Sequence, residues 1–373
     1  MRISRISVVA SLAAASIGVA ACGSSSSSSS SSSGGGTTSS ASSGGSSSIN
    51  GAGSTLAAPI YQQWGSTLSG QGVTLNYSAV GSGAGIAQLQ AGTVDFAGSD
   101  PAMKPAEISK AKGPVAQFPV AFGAITVSYN LSGIKSGLKL DGKTLADIYL
   151  GKVKTWNDAE IKALNPGMSL PSTAITVVHR SDASGTTQGF VTFLSAYDPA
   201  WTTAAGPPAK TVKWPTGTGA AKNAGVAAAI KQTPGAIGYV EQAYALQNNF
   251  TYASVKNKSG AFIAPTIAAT SAAAEGIAVP ANLAISTINS PNAAAYPIVS
   301  QTFLIGYTDA CKAGVSQSAA AGVKKFFTYA VGDGQKTLGA GSSQLPYAPL
   351  PASLQAKDQA QLATLVCNGA PLS

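Results

Sequence analysis

The stretch "AITVVHRSDASGTTQGFVTFLSAY", residues 174–197, joins a strand pattern to a helix pattern through a short polar turn. "AITVVH" is rich in apolar and β-branched residues, and the second half has apolar residues at helical spacing. The turn between them contains Arg180, Asp182, Ser184, Gly185 and Thr186. Ligands of α/β proteins bind where strand C-termini meet helix N-termini. This turn is therefore a candidate loop for binding an anion or for holding a nucleophilic serine.

Strand and helix patterns alternate through the body of the chain, from about Ile49 to the C-terminus. "VTLNYSAV" and "YPIVSQTFLIGY" indicate strands, whereas "GIAQLQAG", closed by Gly92, and "SLQAKDQAQLATLV" indicate helices. This alternation predicts an α/β architecture. A body of about 325 residues is large for one set of layers, so we expect two lobes.

The first 22 residues have the features of a secretory signal peptide. Arg2 and Arg5 precede an apolar run, and small residues lead into Cys22. The end of this segment, from Val19 onward, resembles the lipobox of bacterial lipoproteins, in which the cysteine is diacylated and becomes the mature N-terminus. The alternative is an ordinary signal peptide cleaved near Ala21. Either reading predicts an exported protein, and the lipobox predicts a lipid anchor at Cys22.

Residues 23–48 consist only of Gly, Ser, Thr and Ala. Such a segment cannot bury apolar surface, so it is predicted to be a disordered tether. Removing Arg2 and Arg5 from the 23 Lys and Arg leaves 21 against 14 Asp and Glu, a net charge of +7. The basic residues are scattered and have no interleaved aromatics, which argues against a nucleic-acid partner. The charge either helps to collect a small anion or reflects solubility alone.

Two cysteines, Cys311 and Cys367, lie in the body of the chain. An even pair in an exported protein suggests one disulfide, and the alternative is two small buried thiols. The chain has a single histidine and no CxxC motif, so no zinc site is expected. We predict no metal and no cofactor.

Four stretches share one pattern, in which a strand end is followed by Gly and hydroxyl residues and then by a helix start. They are "GAGSTLAAP" (51–59), "AVGSGAGIAQL" (79–89), "VDFAGSDPA" (94–102) and "HRSDASGTTQGF" (179–190). Helix N-termini present unpaired N–H groups and the positive end of the helix dipole, which favour anions. Any one stretch alone is more simply a Ser or Thr helix cap. Four together, with one arginine and one carboxylate, favour an anion site.

Two other chemistries fit these stretches poorly. "GSGAGIAQ" lacks the third Gly of the dinucleotide-binding G-x-G-x-x-G motif, and the expected acidic residue does not follow on a second strand. Ser184 is not in a G-x-S-x-G frame, and the only imidazole, His179, lies at the end of the preceding strand. The stretch also has no lysine to activate the serine. We therefore predict that the protein is not an enzyme and has no catalytic residue.

The anion hypothesis assigns a role to each residue of the four stretches. Arg180 offers a planar guanidinium suited to an oxyanion. Asp182 either orients that guanidinium or is a simple helix N-cap or turn residue. The predicted N–H or hydroxyl donors are Ser184, Gly185 and Thr186 on one side, with Thr55, Leu56 (through its backbone) and Ser82 on the other.

Asp100 is the unexpected member of this set. A carboxylate repels an anion unless the anion carries a proton that it can donate. Phosphate keeps at least one proton near neutral pH and sulfate keeps none, so an acceptor among donors would select phosphate. The alternative is that Asp100, which precedes Pro101, caps a helix.

Long stretches of the chain resemble the PstS family, the phosphate-binding proteins of bacterial phosphate ABC transporters. The resemblance covers nearly the whole body and is carried by "GAGSTLAAPIYQQW", "DGKTLADIYLGKVKTWNDAEIKALNPG", "HRSDASGTTQGF", "VKWPTGTGAAKNAGVAAAIKQTPGAIGYVEQAYA" and "YPIVSQTFLI". Leu56 departs from the family's frequent Phe, but its backbone N–H is retained. Ala183 stands where Gly is common, which restricts the turn without removing a donor.

The resemblance implies a two-lobed periplasmic-binding-protein fold of type II. The chain would cross twice between lobes, near residues 118–125 and 296–301. Lobe I would comprise residues 49–122 and 297–373, and lobe II residues 123–296. The implied phosphate-binding residues are Thr55, Leu56, Ser82, Asp100, Arg180, Ser184, Gly185 and Thr186, with Asp182 in support.

The expected function is that of an extracytoplasmic receptor, which binds inorganic phosphate and delivers it to the membrane permease subunits of an ABC transporter. We expect a monomer, anchored by lipid to the outer face of the cytoplasmic membrane, at the cell surface or in a periplasm. One rival is a receptor for another tetrahedral oxyanion such as sulfate, against which Asp100 argues. The other is an enzyme or a surface adhesin on the same fold, since a fold does not determine function.

Overall fold

The computed structural model describes residues 46–372. The α-helices are α1 Ala58–Ser69, α2 Ser82–Ala91, α3 Pro105–Ile108, α4 Gly142–Tyr149, α5 Ala159–Leu164, α6 Gly185–Ser195, α7 Pro199–Ala205, α8 Lys222–Gln232, α9 Gln242–Gln247, α10 Ile267–Ala272, α11 Gln317–Val331 and α12 Ala352–Leu362. The strands are β1 Ser47–Gly53, β2 Val73–Ala79, β3 Phe96–Ser99, β4 Val115–Tyr129, β5 Lys139–Leu140, β6 Thr176–Arg180, β7 Thr218–Ala220, β8 Ala236–Glu241, β9 Thr251–Tyr252, β10 Ser254–Lys256, β11 Phe262–Ile263, β12 Val299–Tyr307, β13 Val366–Cys367 and β14 Ala370–Pro371. A 3-10 helix spans Asp333–Thr337.

The predicted signal peptide, with Cys22, and residues 23–45 of the predicted tether lie outside the described residues. β1 begins at Ser47, two residues before the expected start of the body. The backbone N–H of Ser47 donates to the carbonyl of Gly72 at 2.8 Å, and Ser48 pairs with Thr74 of β2. The ladder with β2 therefore makes Ser47 and Ser48 part of the fold, although neither residue favours a strand by composition.

A nine-stranded sheet has the order β2-β1-β3-β12-β4-β8-β6-β7, with β9 beside β4. β1 is parallel to β2 and β3 in one half, and β6 is parallel to β7 and β8 in the other. β4 and β12 run antiparallel to each other, β12 is antiparallel to β3, and β4 is antiparallel to β8. Parallel strands followed by helices gather their C-terminal loops at one edge of each half, which positions these loops for ligand binding.

β4 joins the two halves of the sheet. Its residues 115–124 pair with β12, and its residues 125–129 pair with β8. Pro119 lacks a backbone N–H, and the register against β12 shifts at this point, between Thr302 and Phe303. The partner of β4 changes close to the first predicted crossing. That the halves are separate lobes divided at residues 122–123 and 296–297 stays a prediction.

The core explains why the predicted elements form. β4 is almost entirely buried, as its continuous apolar run requires, and α2 ends at Gly92, whose φ of 69° forms the expected left-handed cap. One large hydrophobic cluster extends over both halves of the sheet. A smaller cluster packs Val226 and Ile230 of α8 against Val178 of β6 and Val240 of β8. This packing holds α8 on the sheet beside the β6 loop.

Cys311 and Cys367 form a disulfide, and their Cα atoms are 4.8 Å apart. The bond ties the loop after β12 to β13. Within residues 46–372, no helix is both long enough and apolar enough to cross a membrane. The same part of the chain has no group of three or more His, Cys, Asp or Glu arranged to hold a metal ion.

Candidate anion-binding site

The loop after β1 carries two of the predicted donors. Thr55 and Leu56 are both buried. Their carbonyl groups accept hydrogen bonds from the hydroxyls of Tyr244, at 3.0 Å, and Tyr347, at 2.7 Å. These bonds hold the loop through its carbonyl groups. The backbone N–H of Leu56 has no acceptor among residues 46–372, so it is available to a ligand.

Asp100 follows β3 and is buried among hydroxyl groups. Its Oδ1 accepts hydrogen bonds from Ser54 and, at 3.2 Å, from Thr302, while its Oδ2 accepts one from Ser82 at 3.3 Å. Ser82 is the first residue of α2, and its oxygen also accepts the backbone N–H of Asp100 at 3.2 Å. Burial raises the pKa of Asp100, although the Ser54 bond and the charge of Arg180 oppose the shift. Asp100 is therefore an acceptor held in place by donors.

Arg180, the last residue of β6, has a buried guanidinium. Its Nε donates to Oδ1 of Asp182 at 2.7 Å, and its Nη2 donates to Oδ2. Burial alone would raise the pKa of Asp182, but its hydrogen bonds to Arg180 and the guanidinium charge outweigh that effect and lower it. Nη1 of Arg180 is buried and has no hydrogen-bond partner among residues 46–372. A buried donor without an acceptor is costly, so this nitrogen marks a position where an acceptor is needed.

The N-terminus of α6 adds further donors. Ser184 is the N-cap residue, and its Oγ accepts the N–H of Thr187 at 3.1 Å. The backbone N–H of Ser184 is already used, since it donates to the carbonyl of Lys210 at 2.9 Å. The N–H groups of Gly185 and Thr186 have no acceptor among residues 46–372. This is the arrangement that a helix N-terminus offers to an anion.

The loops of the two sheet halves are in direct contact at this place. The N–H of Gly83, in α2, donates to the carbonyl of Ala183 at 3.0 Å. Further out, Nζ of Lys210 and a carboxylate oxygen of Glu107 form an ion pair at 2.6 Å. These contacts bring the loops of both halves together near Arg180, whose guanidinium is buried.

Known proteins agree with this architecture. A family model described as a PBP superfamily domain matches residues 37–333. The phosphate-binding protein PstS of Pasteurella multocida is 40% identical over 323 residues, which cover 86% of this chain and 91% of that protein. The chain belongs to the PstS family of phosphate-binding proteins. PstS3 of Mycobacterium bovis is 37% identical over 292 residues, which cover 75% of this chain and 76% of that protein.

Solved structures of similar proteins show the same fold. PfluDING, a high affinity periplasmic phosphate-binding protein solved with phosphate, gives a TM-score of 0.69 at 25% identity, over 84% of this chain and 93% of its own. The phosphate-binding protein from Stenotrophomonas maltophilia gives a TM-score of 0.65 at 20% identity, over 87% and 99%. The predicted α/β periplasmic-binding-protein fold is thus confirmed.

All eight residues predicted to bind the anion in this PstS-family chain are buried, and they lie in the loops and at the strand and helix ends described above. A Cβ atom placed on Gly185 would lie 2.5 Å from an oxygen of Asp100, so α6 begins directly against that carboxylate. Two details differ from the expectation. The hydroxyl of Ser82 already donates to Asp100, and Ser184 offers only its hydroxyl because its N–H is used.

The capping alternatives for the two aspartates do not describe this PstS-family site. Ser184, and not Asp182, is the N-cap residue of α6. The helix after Asp100 is α3, and its N-cap residue is Lys104. Both carboxylates instead accept hydrogen bonds from side chains of the candidate site.

Asn223 is a site residue that the sequence interpretation missed. It is the second residue of α8 and is fully buried. Its Nδ2 donates to Oγ1 of Thr55 at 2.9 Å and to Oγ1 of Thr186 at 3.4 Å. A signal was present, because "TGTGAAKNAG" has the same order of small and hydroxyl residues before a helix. The short strand β7 made that stretch harder to recognise.

Glu241, at the end of β8, is a second acidic residue that was missed. Its Oε2 accepts the hydroxyl of Tyr347 at 2.9 Å and the backbone N–H of Ala243 at 2.8 Å. Burial raises the pKa of Glu241 to about 8, against the opposing effect of these hydrogen bonds. The carboxyl is therefore largely protonated at neutral pH and adds little negative charge to the site.

Proposed function

We propose that this protein is the extracytoplasmic receptor of a phosphate ABC transporter, acting as a monomer that binds inorganic phosphate and delivers it to the permease subunits. The observation that carries the proposal is the unpartnered Nη1 of the buried Arg180. A guanidinium in this position needs an oxyanion acceptor. PstS relatives and the phosphate named for PfluDING support phosphate as that anion.

The proposed binding mode uses both halves of the sheet. Arg180 and the free N–H groups of Gly185 and Thr186 come from one half, and the N–H of Leu56 comes from the other. The hydroxyls of Thr55, Ser184 and Thr186 complete the set of donors, while Ser82 holds the carboxylate of Asp100 in place. We propose that the halves act as lobes that open and close by hinge bending, with β4 as one crossing strand. Phosphate would favour the closed state because only there do both sets of donors reach it.

Asp100 is proposed to give the site its selectivity. The hydrogen bonds that described residues make with its carboxylate oxygens all come from hydroxyl donors. Phosphate near neutral pH has a proton to donate to such an acceptor, whereas sulfate would meet an unpaired, like-charged oxygen. The receptor is therefore expected to bind phosphate and to reject sulfate.

The anchoring proposal rests on the sequence before the fold. The segment ending at Cys22 supports export and lipidation, and residues 23–45 would then separate the receptor from the outer face of the cytoplasmic membrane. Cys22→Ser should move most of the protein from the membrane fraction into the soluble extracytoplasmic fraction, as measured by fractionation of the producing cells. An unchanged membrane fraction would contradict lipidation at this residue.

Calorimetric titration of the purified protein, stripped of bound ligand, tests the proposed ligand. We expect one-to-one binding of phosphate in the micromolar range or tighter, and no heat with sulfate at neutral pH. Arg180→Ala should weaken phosphate binding by about a thousandfold or more, because it removes a buried cation and its charge-assisted hydrogen bonds.

The outcomes of this titration separate the candidate functions. Binding of sulfate in preference to phosphate would indicate a receptor for another oxyanion. Silence with both anions would mean that the family fold is retained without the function. Unchanged phosphate affinity in Arg180→Ala would refute the assignment of the site.

A further inference from the structure

Asn223 contacts hydroxyl groups from both halves of the sheet. Its Nδ2 donates to Oγ1 of Thr55 at 2.9 Å and to Oγ1 of Thr186 at 3.4 Å. Its backbone N–H also donates to Oγ1 of Thr55, at 3.4 Å. The two threonines belong to opposite sides of the site, and the amide lies between them.

The orientation of the Asn223 amide is determined by its other contact. Its Oδ1 accepts the backbone N–H of Glu241 at 3.1 Å. A backbone N–H can only donate, so the atom that it meets must be the oxygen of the amide. The Nδ2 group, with its two N–H donors, is then left for the two threonines.

These contacts determine where the threonine protons can go. Each hydroxyl has one proton to donate and lone pairs to accept with. Since the oxygens of Thr55 and Thr186 accept from Asn223, their protons must find acceptors elsewhere. Neither hydroxyl donates to a protein acceptor within residues 46–372. Both side chains are buried, so each has an unused donor inside the site.

We propose that Asn223 is a positioning residue, which turns the hydroxyl protons of Thr55 and Thr186 toward the bound anion. It acts through the two threonines rather than by touching the ligand. The inference rests on the proposed function, because it takes phosphate as the ligand of this site. It adds that an amide donor at residue 223 makes the site selective for ligands that accept hydrogen bonds at these two hydroxyls.

Asn223→Asp reverses this arrangement while nearly preserving the size of the side chain. A carboxylate offers only acceptors, so both hydroxyl protons would turn to it and away from the anion, and its charge would repel the anion. The acidic groups near it are Glu241 of β8, Asp182, which accepts the N–H of Lys222, and Asp100 across the site. Burial, together with the negative charge of Asp182 and Asp100, should raise the pKa of the new carboxyl above that of an ordinary aspartate. Protonation would then remove the charge and restore one donor.

The test measures phosphate affinity by calorimetry for the unchanged protein, Asn223→Asp and Asn223→Ala, at about pH 8 and about pH 5.5. Relative to the unchanged protein at the same pH, Asn223→Asp should bind about a hundredfold more weakly at the higher pH and recover about tenfold or more at the lower. Asn223→Ala should lose about tenfold at both. Taking ratios at each pH removes the titration of phosphate itself.

Asn130, which follows β4, provides a matched control because its side chain holds the other end of the same helix. Its Nδ2 donates to the carbonyls of Ile230, at 3.0 Å, and Lys231, at 3.1 Å, at the opposite end of α8. Asn130→Ala removes an asparagine that holds the helix but does not contact the threonines. Its phosphate affinity should stay within about twofold of that of the unchanged protein.

The outcomes distinguish this inference from the function on which it rests. If the unchanged protein does not bind phosphate, the proposed function fails and the inference fails with it. If the unchanged protein binds phosphate and both Asn223 variants bind it as tightly as the unchanged protein does, the inference alone is overturned. An equal loss for Asn223→Asp and Asn223→Ala, independent of pH, would show a merely structural role and would also overturn it. If Asn223→Asp does not fold, Asn223→Ala is compared with Asn130→Ala. A loss of phosphate affinity in Asn223→Ala alone supports the inference, and equal affinities of the two variants overturn it.

Discussion

Asp100 and Asp358 are both buried aspartates, but their surroundings are opposite. Asp100 accepts hydrogen bonds from three hydroxyl groups and lies near the charge of Arg180. Asp358, on α12, has no hydrogen-bond partner for either carboxylate oxygen among residues 46–372. Burial raises the pKa of both groups, and that of Asp358 reaches about 9. At Asp358 burial alone acts on the pKa, whereas at Asp100 hydrogen-bond donors and a cation counteract the effect of burial.

The difference separates a carboxylate suited to the proposed binding role from a destabilising one. The donors around Asp100 reduce the cost of burial and keep its oxygens in position to accept a hydrogen bond from a protonated ligand. Asp358 must instead take up a proton on folding, which costs free energy at any pH above the ordinary pKa of an aspartate. We therefore expect Asp100 to matter for binding, and Asp358 to matter only for stability.

The largest expected effect is on stability, in Asp358→Asn. The pKa of Asp358 rises from 3.8 to about 9 on folding, so its contribution to stability is complete below pH 3.8 and is lost progressively as the pH rises toward about 9. At pH 7 this loss amounts to about 4 kcal/mol. An amide does not ionise, so the free energy of unfolding of Asp358→Asn at pH 7 should exceed that of the unchanged protein by up to this amount. Urea unfolding over a pH series measures it.

The pH dependence provides the control for this prediction. The two proteins should have similar stability near pH 4 and should diverge as the pH rises. The pKa of Glu241 rises from 4.5 to about 8 on folding, so the stability of the variant should still decline somewhat between those pH values. Parallel stability curves for the two proteins would show that Asp358 finds a partner and does not carry the assigned cost.

The sequence predicts those parts of the candidate site whose geometry depends on neighbouring residues in the chain. A helix N-terminus after a strand exposes the N–H groups of Gly185 and Thr186 whatever surrounds it, and an arginine at a strand end has its guanidinium close by. The order of small and hydroxyl residues in the four stretches therefore selects the eight candidate residues, whose role in binding stays a prediction. The α/β alternation likewise predicted the fold.

Contacts across the molecule could not be predicted in this way. Asn223 meets Thr55 from 168 residues away, and Tyr347 meets Glu241 from 106 residues away, so both depend on how the halves of the sheet meet. The burial of Asp358 had a local signal that went unused. Leu354, Asp358 and Leu362 follow at intervals of four, which places the aspartate on the buried face of α12. Whether a partner awaits it there depends on the packing of other elements.

The smaller expected effect is on selectivity, in Asp100→Asn. The amide can accept through its oxygen and donate through its nitrogen, so phosphate should lose little affinity. Sulfate would no longer meet a like-charged acceptor, and its affinity should rise by about tenfold to a hundredfold, or about 1.4 to 2.8 kcal/mol. Competitive titration of the variant with both anions at neutral pH measures the ratio of their affinities.

Asp358→Asn is the matched control for this prediction, because it makes the same chemical change at another buried aspartate. It should leave the ratio of phosphate to sulfate affinity unchanged. Unaltered rejection of sulfate in Asp100→Asn would mean that the geometry of the donors, rather than the carboxylate, excludes a fully deprotonated anion. The selectivity would then have to come from the positions of the hydroxyl and N–H donors in the closed site. The hydroxyls of Thr55 and Thr186 are two of these donors, and their orientation depends on Asn223.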